Sequence, residues 1–524
     1  MTLHVYDTTL RDGAQQEGLN LTVADKLAIA GHLDELGVGY IEGGWPGANP
    51  KDTEFFARAH TDLRLRNATL AAFGATRRAG GRADTDPLVR ALLDSGASVV
   101  TLVAKSHLRH VTDALRTTPE ENLAMIRDTV TFLRGEGRRV FLDAEHFFDG
   151  YRLDRAYALE AVRAAVESGA EVVALCDTNG GMLPDQVADV VADVLATTGA
   201  PLGIHCHNDT GCAVANSLAA VDAGVIQVQG TINGYGERTG NANIVTLLSN
   251  LQIKRGLELV EPRQLGDATR ISHAISEVTN VPPYSRQPYV GSSAFAHKAG
   301  LHASALKVDP DLYQHIDPGT VGNSMRTLVS DMAGRASVEL KAAEMGVDLA
   351  GQPAVIAEVL AEVKDLELQG WTFDAADASF ELLLGKHLGT VVSYFDVESW
   401  RVITDAREAG EATSEATVKL TAGGARQVAT GEGNGPVNAL DHALRVALIG
   451  VYPELDKLEL VDFRVRILDA SHGTDAITRV LIETSDGTTT WQTVGVAPNI
   501  VEASWRALVD GITYGLTRQG VPSR

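Results

Sequence analysis

The sequence predicts an α/β protein: a (β/α)8 TIM barrel, then a helical linker region, then an α+β domain of two βββα units. Three observations lead to this fold class. Short apolar segments alternate with helical stretches through the first half of the chain, most of them run into polar or ionisable residues, and the C-terminal region contains an internal repeat. The predicted barrel strands are His4–Tyr6, Tyr40–Glu42, Thr69–Phe73, Ser98–Val103, Arg139–Asp143, Val172–Cys176, Leu202–His205 and Gln227–Thr231.

Two of the helices between these strands have recognisable start signals. Thr22-Val23-Ala24-Asp25 resembles a capping box and is followed by an apolar stripe from Leu27 to Leu36. Pro184 is suited to the first position of a helix. An open doubly wound sheet is the alternative architecture, but no glycine-rich dinucleotide motif follows the first strand. We therefore expect the barrel, over residues 1–265.

The regular βα period ends after the barrel. Residues 266–388 contain helical segments broken by proline and glycine, which predicts a helical linker region packed against the barrel. Strands return over residues 389–524, and helices are expected from Pro436 and from about Asn499. The strands predicted there are Gly389–Val397, Arg401–Thr404, Ala416–Leu420, Gln427–Gly431, Leu458–Ile467, Thr478–Thr484 and Thr489–Val496.

This last region is internally duplicated at an offset of 64 residues. The matching pairs are Gly431 with Gly495, Ala439 with Ala503, Ala443 with Ala507, and Leu444 with Leu508. A duplicated βββα unit more often senses a ligand or mediates an interaction than carries out catalysis. We therefore expect a regulatory or interaction role for this domain.

Composition narrows the function classes. The chain has 524 residues, of which 44% are hydrophobic and 22% charged, and its net charge of −23 argues against nucleic acid and anionic membranes as partners. No apolar run reaches the roughly 18 residues of a membrane span, and no signal peptide is expected. The three cysteines lack zinc-binding or redox spacing, so we expect a reducing cytoplasm.

The end of the seventh strand carries the strongest metal-site signal. His205 and His207 are two residues apart and share one face of the strand, whereas Cys206 points to the opposite face. By itself this pair could be two histidines that merely share a face. Asp12 follows strand one and Asn241 follows strand eight, so a closed barrel brings them to the same end. Two nitrogen and two oxygen ligands suit a divalent cation with open positions.

Other strand ends supply candidate substrate-binding groups. Arg11 stands beside the first candidate ligand, where it could hold an oxyanion; the alternative is a surface ion pair. Thr178 could bind a substrate carboxylate or simply cap a helix. Lys105 is ambiguous and is left out of the predicted site, and Glu237 is expected to support the ligands from outside.

Three separated motifs resemble the DRE-TIM metallolyases, and more closely the 2-isopropylmalate, homocitrate and citramalate synthases. The resemblance covers nearly the whole chain, including the linker segment Gly300-Leu301-His302 and the duplicated C-terminal module. Residues 42–50 and 176–181 look most like the citramalate synthases. The three motifs are Asp7-Thr8-Thr9-Leu10-Arg11-Asp12-Gly13, His205-Cys206-His207-Asn208-Asp209 and Asn233-Gly234-Tyr235-Gly236-Glu237-Arg238-Thr239-Gly240-Asn241-Ala242.

The resemblance implies a Claisen-type condensation of acetyl-CoA with a 2-oxoacid held at a divalent metal (Mg²⁺, Mn²⁺ or Zn²⁺). Pyruvate, giving (R)-citramalate for isoleucine biosynthesis, is the expected acceptor; 2-oxoisovalerate, as in the 2-isopropylmalate synthases of leucine biosynthesis, is the alternative. The expected base is His302 with Tyr313 as its helper, and Glu145 is the competing acid/base. The family places the linker residues over the neighbouring subunit's site, so a homodimer is expected.

The same resemblance implies feedback control through the C-terminal domain, with isoleucine as the expected effector. Two readings from other classes stay open. One is a lyase that cleaves a carbon–carbon bond at the same metal site, as the hydroxymethylglutaryl-CoA lyases do. The other is an amino-acid sensor without activity. The duplicated module argues against the lyase, and the intact candidate site argues against the sensor.

Overall fold

The structure is a computed structural model that describes residues 3–406, 412–468 and 476–524. The chain forms two compact units. The first contains Met1–Phe295 and Asp317–Ser324, and the second contains Ala296–Ile316 and Met325–Arg524. No helix in the described ranges is both long enough and apolar enough to cross a membrane.

The first unit is a closed parallel barrel of eight strands, which confirms the predicted TIM barrel. Each strand pairs with the next along the chain, and β8 pairs with β1 to close the sheet. Each predicted strand is present, with ends that differ by at most two residues. The strands are β1 (His4–Asp7), β2 (Tyr40–Gly44), β3 (Thr69–Ala75), β4 (Val99–Lys105), β5 (Arg139–Glu145), β6 (Val172–Asp177), β7 (Leu202–Cys206) and β8 (Gln227–Gly230).

Helices of the first unit lie between and after these strands. Thr22 caps the first of them with the predicted capping box, and Pro184 begins another as expected. The helices are α1 (Val23–Leu36), α2 (Pro50–Asp62), α3 (Pro87–Asp94), α4 (Pro119–Gly135), α5 (Phe147–Leu153), α6 (Arg155–Glu167), α7 (Pro184–Thr198), α8 (Ala213–Ala223), α9 (Ile244–Ser249), α10 (Pro262–Gly266) and α11 (Ala268–Thr279).

Side chains fill the interior of the barrel. Tyr6, Tyr40 and Phe141 pack together there, with ring centroids 5.2–6.2 Å apart. The Tyr6 hydroxyl points out of this aromatic layer and donates a hydrogen bond to Glu42 Oε2 at 2.7 Å. The apolar layer thus ends in a polar one, towards the carboxyl ends of the strands, where TIM barrels carry their active sites.

The second unit begins with a mainly helical part. The helices are α12 (Gly300–Leu306), α13 (Arg335–Glu344), α14 (Pro353–Leu368) and α15 (Asp377–Leu388). A short parallel pair of strands, β9 (Ala296–His297) and β10 (Arg326–Thr327), also occurs here. Its two-residue strands are too short to produce an alternating pattern in the sequence, which predicts only helical segments broken by proline and glycine here.

The C-terminal part contains the two predicted βββα units, each with a three-stranded antiparallel sheet. The first unit comprises β11 (Phe395–Asp405), β12 (Thr413–Ala422), β13 (Ala425–Gly433) and α16 (Pro436–Leu448). The second comprises β14 (Glu459–Ile467), β15 (Thr478–Ser485), β16 (Thr490–Ala497) and α17 (Ile500–Arg518).

The repeated residues mark the contact between sheet and helix. A Cβ at Gly431 would collide with the backbone of Ala439 and Ala443, and one at Gly495 with the backbone of Ala503 and Ala507. Glycine on the strand and alanine on the helix let the two backbones approach closely in both halves. The internal repeat in the sequence is therefore a repeat of this packing.

One strand prediction in this region is wrong. Gly389–Val397 and Arg401–Thr404 are not two strands, because α15 ends at Leu388 and the single strand β11 runs from Phe395 to Asp405. A bulge between Val397 and Ser399 interrupts the register of β11 with β12. Since a bulge disturbs the alternation of side chains, the pattern falsely suggested a break.

Candidate active site

A cavity of about 700 Å³ lies at the carboxyl end of the barrel strands. Its wall contains side chains that lie on or after all eight strands. The cationic side chains among them are Arg11, Arg77, Arg78, Lys105 and Arg238, whereas the whole chain carries a net charge of −23. Five carboxylates, Asp12, Asp86, Asp143, Glu145 and Glu237, line the same wall, so the cavity offers cationic groups to an anionic substrate in a strongly acidic protein without an excess of positive charge.

A tight turn after β1 places Arg11 and Asp12 at this cavity. The Thr8 carbonyl accepts hydrogen bonds from the backbone N–H groups of Arg11 (3.1 Å), Asp12 (2.9 Å) and Gly13 (3.1 Å). The Thr9 hydroxyl accepts from the backbone N–H of Ile232 at 2.8 Å. This bond ties the turn to the loop after β8, so that two distant parts of the sequence meet at one side of the site.

Asp12, His205 and His207 converge in a buried cluster that could hold a metal ion. Asp12 Oδ2 lies 3.1 Å from His205 Nε2 and 3.7 Å from His207 Nε2. The two Nε2 atoms are 3.3 Å apart. Cys206 is buried on the opposite face of the strand, where its thiol forms a hydrogen bond with the Ser217 side chain of α8. The alternation of side chains predicted for β7 is thus present.

Asn241 reaches the same cluster through a glycine-rich loop. It forms an isolated antiparallel bridge with His207, and its Nδ2 donates to the Tyr235 carbonyl at 3.1 Å. Gly236 has a φ of +146°, and a Cβ there would collide with the Asn241 amide. Glycine is therefore required at this position, because a larger residue would displace the Asn241 side chain.

The donor set suits a divalent cation. Asn241 Oδ1 is buried and has no hydrogen-bond partner among the described residues. Two imidazole nitrogens and a carboxylate oxygen face one another nearby. Buried polar atoms normally find partners, so an unpartnered amide oxygen on the residue that bridges to His207 is what a cation site would leave.

The electrostatics of two of the three residues agree with such a site; for His205, burial lowers the pKa but the Asp12 carboxylate outweighs it and raises the pKa above the ordinary value. Burial favours the neutral carboxyl of Asp12, but the charge of Arg11 and the contact with His205 lower its pKa below the ordinary value. Burial, followed by the neighbouring His205, lowers the pKa of His207 to about 4. At neutral pH, Asp12 is therefore an anion and His207 a neutral imidazole, the forms that bind metals.

Arg11 is held by a buried carboxylate and an aromatic ring. Its Nε donates to Glu42 Oε1 at 2.6 Å, and its guanidinium carbon lies 3.9 Å from the centroid of the Phe73 ring. Burial opposes its charge, yet Glu42 and then Asp12 raise the pKa of Arg11 above its ordinary value. The surface ion pair considered as an alternative is not what the structure shows, since only 16% of this side chain is exposed.

Thr178 and Glu145 stand on another side of the cavity. The Thr178 hydroxyl oxygen accepts from the backbone N–H of His146 at 2.9 Å, which leaves its proton available to a ligand. Glu145 forms an ion pair with Lys105, whose pKa burial lowers. The two residues are paired in the β4–β5 register. Lys105, which the sequence prediction left out, therefore belongs to the wall of the site.

His302 and Tyr313 lie in the second unit. Their rings stack at a centroid distance of 4.2 Å with planes inclined by 28°. Tyr313 is 40% exposed, and His302 is half-buried near the start of α12. The pairing of the two residues is a feature of the structure, and their catalytic role stays a prediction.

Sequence reasoning missed three residues that support the site: Glu42, Asp143 and Gln229. Glu42 was recognised as a polar strand end but not as the partner of Arg11. Gln229 lies between His205 and Asp143, and burial, followed by Glu42, raises the pKa of Asp143 to about 6. The usable signal was the alternation on β8, where two glutamines share the interior face. Glu237, by contrast, is 54% exposed and lies 3.8 Å from Arg238.

The second unit contains a separate groove of about 890 Å³. It begins at the N-terminus of α16 and continues along β14. Apolar side chains line most of it, including Val446 and Phe463, and Asp441 and Arg445 add opposite charges. This groove offers both apolar and charged contacts to a small molecule.

Comparison with known families matches three successive parts of the chain. Residues 2–275 match the family described as HMGL-like. Residues 289–370 match the homocitrate synthase post-HMGL domain-like family. Residues 374–516 match the LeuA allosteric (dimerisation) domain.

Curated relatives match along nearly the whole chain. The chain is 65% identical to the (R)-citramalate synthase of Streptomyces coelicolor, over 99% of this chain and 98% of that one. It is 49% identical to the (R)-citramalate synthase of Synechocystis sp., over 98% and 96% respectively. A probable 2-isopropylmalate synthase of Methanopyrus kandleri is 34% identical over 97% of each chain.

Proposed function

Because the chain belongs to the HMGL-like family and, within it, to the (R)-citramalate synthases, we propose that it condenses acetyl-CoA with pyruvate. Water then cleaves the thioester, so the products are (R)-citramalate, CoA and a proton. The observation that carries the proposal is the convergence of Asp12, His205 and His207 beside Arg11, in a chain that is 65% identical to a citramalate synthase. We place the reaction at the start of isoleucine biosynthesis.

Four residues are proposed to hold the metal: Asp12, His205, His207 and Asn241. A divalent cation bound there would act as a Lewis acid towards the keto group and carboxylate of the 2-oxoacid. Mg²⁺, Mn²⁺ and Zn²⁺ are all candidates, since nitrogen and oxygen ligands accept each of them. The unpartnered Asn241 Oδ1 supports its inclusion as the fourth ligand.

Arg11 and Thr178 are proposed to bind the 2-oxoacid. The Arg11 Nε donates to Glu42 and one terminal nitrogen lies 3.6 Å from Asp12 Oδ1, so the other terminal nitrogen remains to steady the negative charge that develops on the keto oxygen. The Thr178 hydroxyl can donate to the substrate carboxylate while it accepts from His146. Glu42 and Phe73 keep the guanidinium in place, so its donors are oriented before the substrate binds.

Removal of a methyl proton from acetyl-CoA requires a base. We assign it to His302, assisted by Tyr313, and retain Glu145 as the competing acid/base. The stacked rings support a joint role of His302 and Tyr313. Glu145 forms an ion pair with Lys105. Because an opposite charge stabilises the carboxylate, we give Glu145 a supporting role. The base is proposed to act on the partner's site in a homodimer, in keeping with the LeuA dimerisation domain.

We propose three functional regions: a catalytic barrel at residues 1–265, a linker region at 266–388 and an allosteric, dimerising region at 389–524. The separate family matches for barrel, linker and C-terminal part support this division. A cytoplasmic location is also proposed. It is supported by Cys176, Cys206 and Cys212, which are all free thiols.

Substrate choice is tested with four 2-oxoacids: pyruvate, 2-oxobutanoate, 2-oxoisovalerate and 2-oxoglutarate. Purified protein with Mg²⁺ or Mn²⁺ should release free thiol from acetyl-CoA only when an oxoacid is present. We expect pyruvate to have the highest kcat/KM, by about tenfold or more over 2-oxoisovalerate, because each misplaced methyl or methylene group typically changes specificity by about 10- to 200-fold.

A higher kcat/KM with 2-oxoisovalerate would identify a 2-isopropylmalate synthase instead. If no oxoacid promotes thiol release while citramalate or a related hydroxyacyl-CoA is cleaved, the lyase reading is correct. The same assay without acetyl-CoA provides the blank for contaminating thiol.

Isoleucine is proposed to inhibit the enzyme from the groove at α16. We expect Val446→Asp to raise the inhibitory isoleucine concentration at least about tenfold. A carboxylate in the apolar lining would lose water when isoleucine binds, which costs about 1–3 kcal/mol of binding free energy. Val446 is 47% exposed, so the fold should tolerate the change. Ile500→Asp, at a side chain of 45% exposure on α17 outside the groove, is the matched control. Equal inhibition of both variants would place the effector elsewhere.

A further inference from the structure

A fully buried amide lies behind the candidate metal cluster. Gln229 is on β8, in register with His205 on β7. Its Oε1 lies 3.0 Å from His205 Nδ1, and its Nε2 donates to Asp143 Oδ1 at 2.9 Å and to Gln227 Oε1 at 3.2 Å. Gln229 therefore connects the far side of the His205 ring to two acceptors deeper in the barrel.

These contacts determine which way the amide faces. The carboxylate of Asp143 and the Oε1 of Gln227 both accept hydrogen bonds from the same atom, so that atom must be the NH₂ group. The carbonyl oxygen of Gln229 must then face His205, and only an N–H on His205 Nδ1 can donate to it. A neutral imidazole with its proton on Nδ1 has its lone pair on Nε2.

His205 Nε2 is the atom that faces the cluster, 3.1 Å from Asp12 and 3.3 Å from His207 Nε2. We propose that Gln229 is a positioning residue that holds His205 in the tautomer and ring orientation suited to metal binding, and that Asp143 fixes the orientation of Gln229. His207 has no equivalent support, because its Nδ1 is buried without a hydrogen-bond partner among the described residues.

The inference rests on the proposed metal site but not on the identity of the oxoacid. Its test is the binding of Mn²⁺ to metal-stripped protein in the absence of substrate. The electron paramagnetic resonance signal of free Mn²⁺ measures how much of the ion remains unbound. Wild-type protein should bind about one ion per chain. If it binds none, the metal site itself has been misassigned, and the inference falls with it.

Gln229→Leu is the decisive variant. We expect its Kd for Mn²⁺ to rise by about 10- to 100-fold, the usual effect of losing a group that orients a metal ligand. Gln227→Leu is the matched control, because Gln227 lies on the same strand face and is equally buried but does not contact His205, and its replacement leaves Gln229 Nε2 its shorter hydrogen bond to Asp143. A merely structural polar layer would make both variants alike. Wild-type affinity in a folded Gln229→Leu protein would overturn the inference.

An exchange of the two polar partners tests the role of Asp143. Gln229→Glu alone sets two carboxylates against each other and should weaken Mn²⁺ binding. Adding Asp143→Asn supplies an amide that can donate to the new carboxylate at position 229. That carboxylate keeps an oxygen as acceptor towards His205, and the original total charge is restored. By turning its amide, Gln227 can donate to the new carboxylate at position 229 from its Nε2, which has no hydrogen-bond partner in the described part of the chain. The double variant should regain most of the affinity; no recovery would overturn the inference, and this comparison also serves if Gln229→Leu fails to fold.

Discussion

His207→Ala is expected to abolish oxoacid-dependent thiol release and to remove most of the bound metal, while the protein remains folded. His207 contributes one of the two imidazole nitrogens that face Asp12. Alanine leaves at most three of the four proposed ligands, and no neighbouring side chain on this strand face can replace the lost nitrogen. The fold should survive, since His207 Nδ1 makes no hydrogen bond that the variant would break. Metal content by atomic emission, activity and the circular dichroism spectrum are the measurements.

Cys206→Ala is the matched control for this prediction. It changes the adjacent residue of the same strand, but the Cys206 side chain is buried on the opposite face, towards α8. Activity and metal content should stay close to wild type, with a small loss of stability from the shortened side chain. An active His207→Ala protein with normal metal content would rule out the proposed ligand set.

His302→Ala should lower kcat by about 10²- to 10⁴-fold, the usual contribution of a general base, with little change in oxoacid binding. The proton is removed only on the way to the transition state, so the loss should appear in kcat more than in KM. Tyr313→Phe is the finer variant. It keeps the ring that stacks on His302 at 4.2 Å and removes only the hydroxyl. Exchange of the acetyl-CoA methyl protons with deuterium measures the proton-transfer step directly.

Glu145→Gln distinguishes the competing base. If Glu145→Gln stops methyl-proton exchange while His302→Ala leaves it near the wild-type rate, Glu145 is the base. The outcome we expect is the reverse. Loss of the Glu145 charge should also free Lys105 from its ion pair, so the effect on KM should be read separately from that on kcat.

Mixed dimers test whether His302 acts on the partner's site. His302→Ala and His207→Ala subunits are each expected to have little or no activity by themselves. If the linker residues act across the dimer, one site of a mixed dimer receives both lesions and the other receives neither, so activity should partly return. If mixed dimers form and stay inactive, each site is built from a single chain.

Local patterns in the sequence identify some of the site residues and leave others without a role. His205 and His207 were found because a strand alternates strictly, and the closed barrel then brought Asp12 and Asn241 to them, as expected from strands one and eight. Glu42, Asp143 and Gln229 were not assigned roles, because each hydrogen-bonds to residues on other strands. Alternation along β8 shows that Gln229 faces the interior, but no pattern along one strand identifies the partners on other strands. The false break in β11 shows the converse, since a local bulge can imitate the end of a strand.

The barrel, the duplicated C-terminal module and the candidate ligands can be predicted from the amino acids alone. These depend on local periodicity, on strand order and on motifs whose residues lie close together in the chain. The groups that surround those ligands become known only from the folded chain: the Glu42 carboxylate that holds Arg11, the Lys105 ammonium paired with Glu145, and the Gln229 amide behind His205. The physical reason is that a buried polar group must find its partner wherever the fold places one, and that partner usually comes from a distant part of the chain.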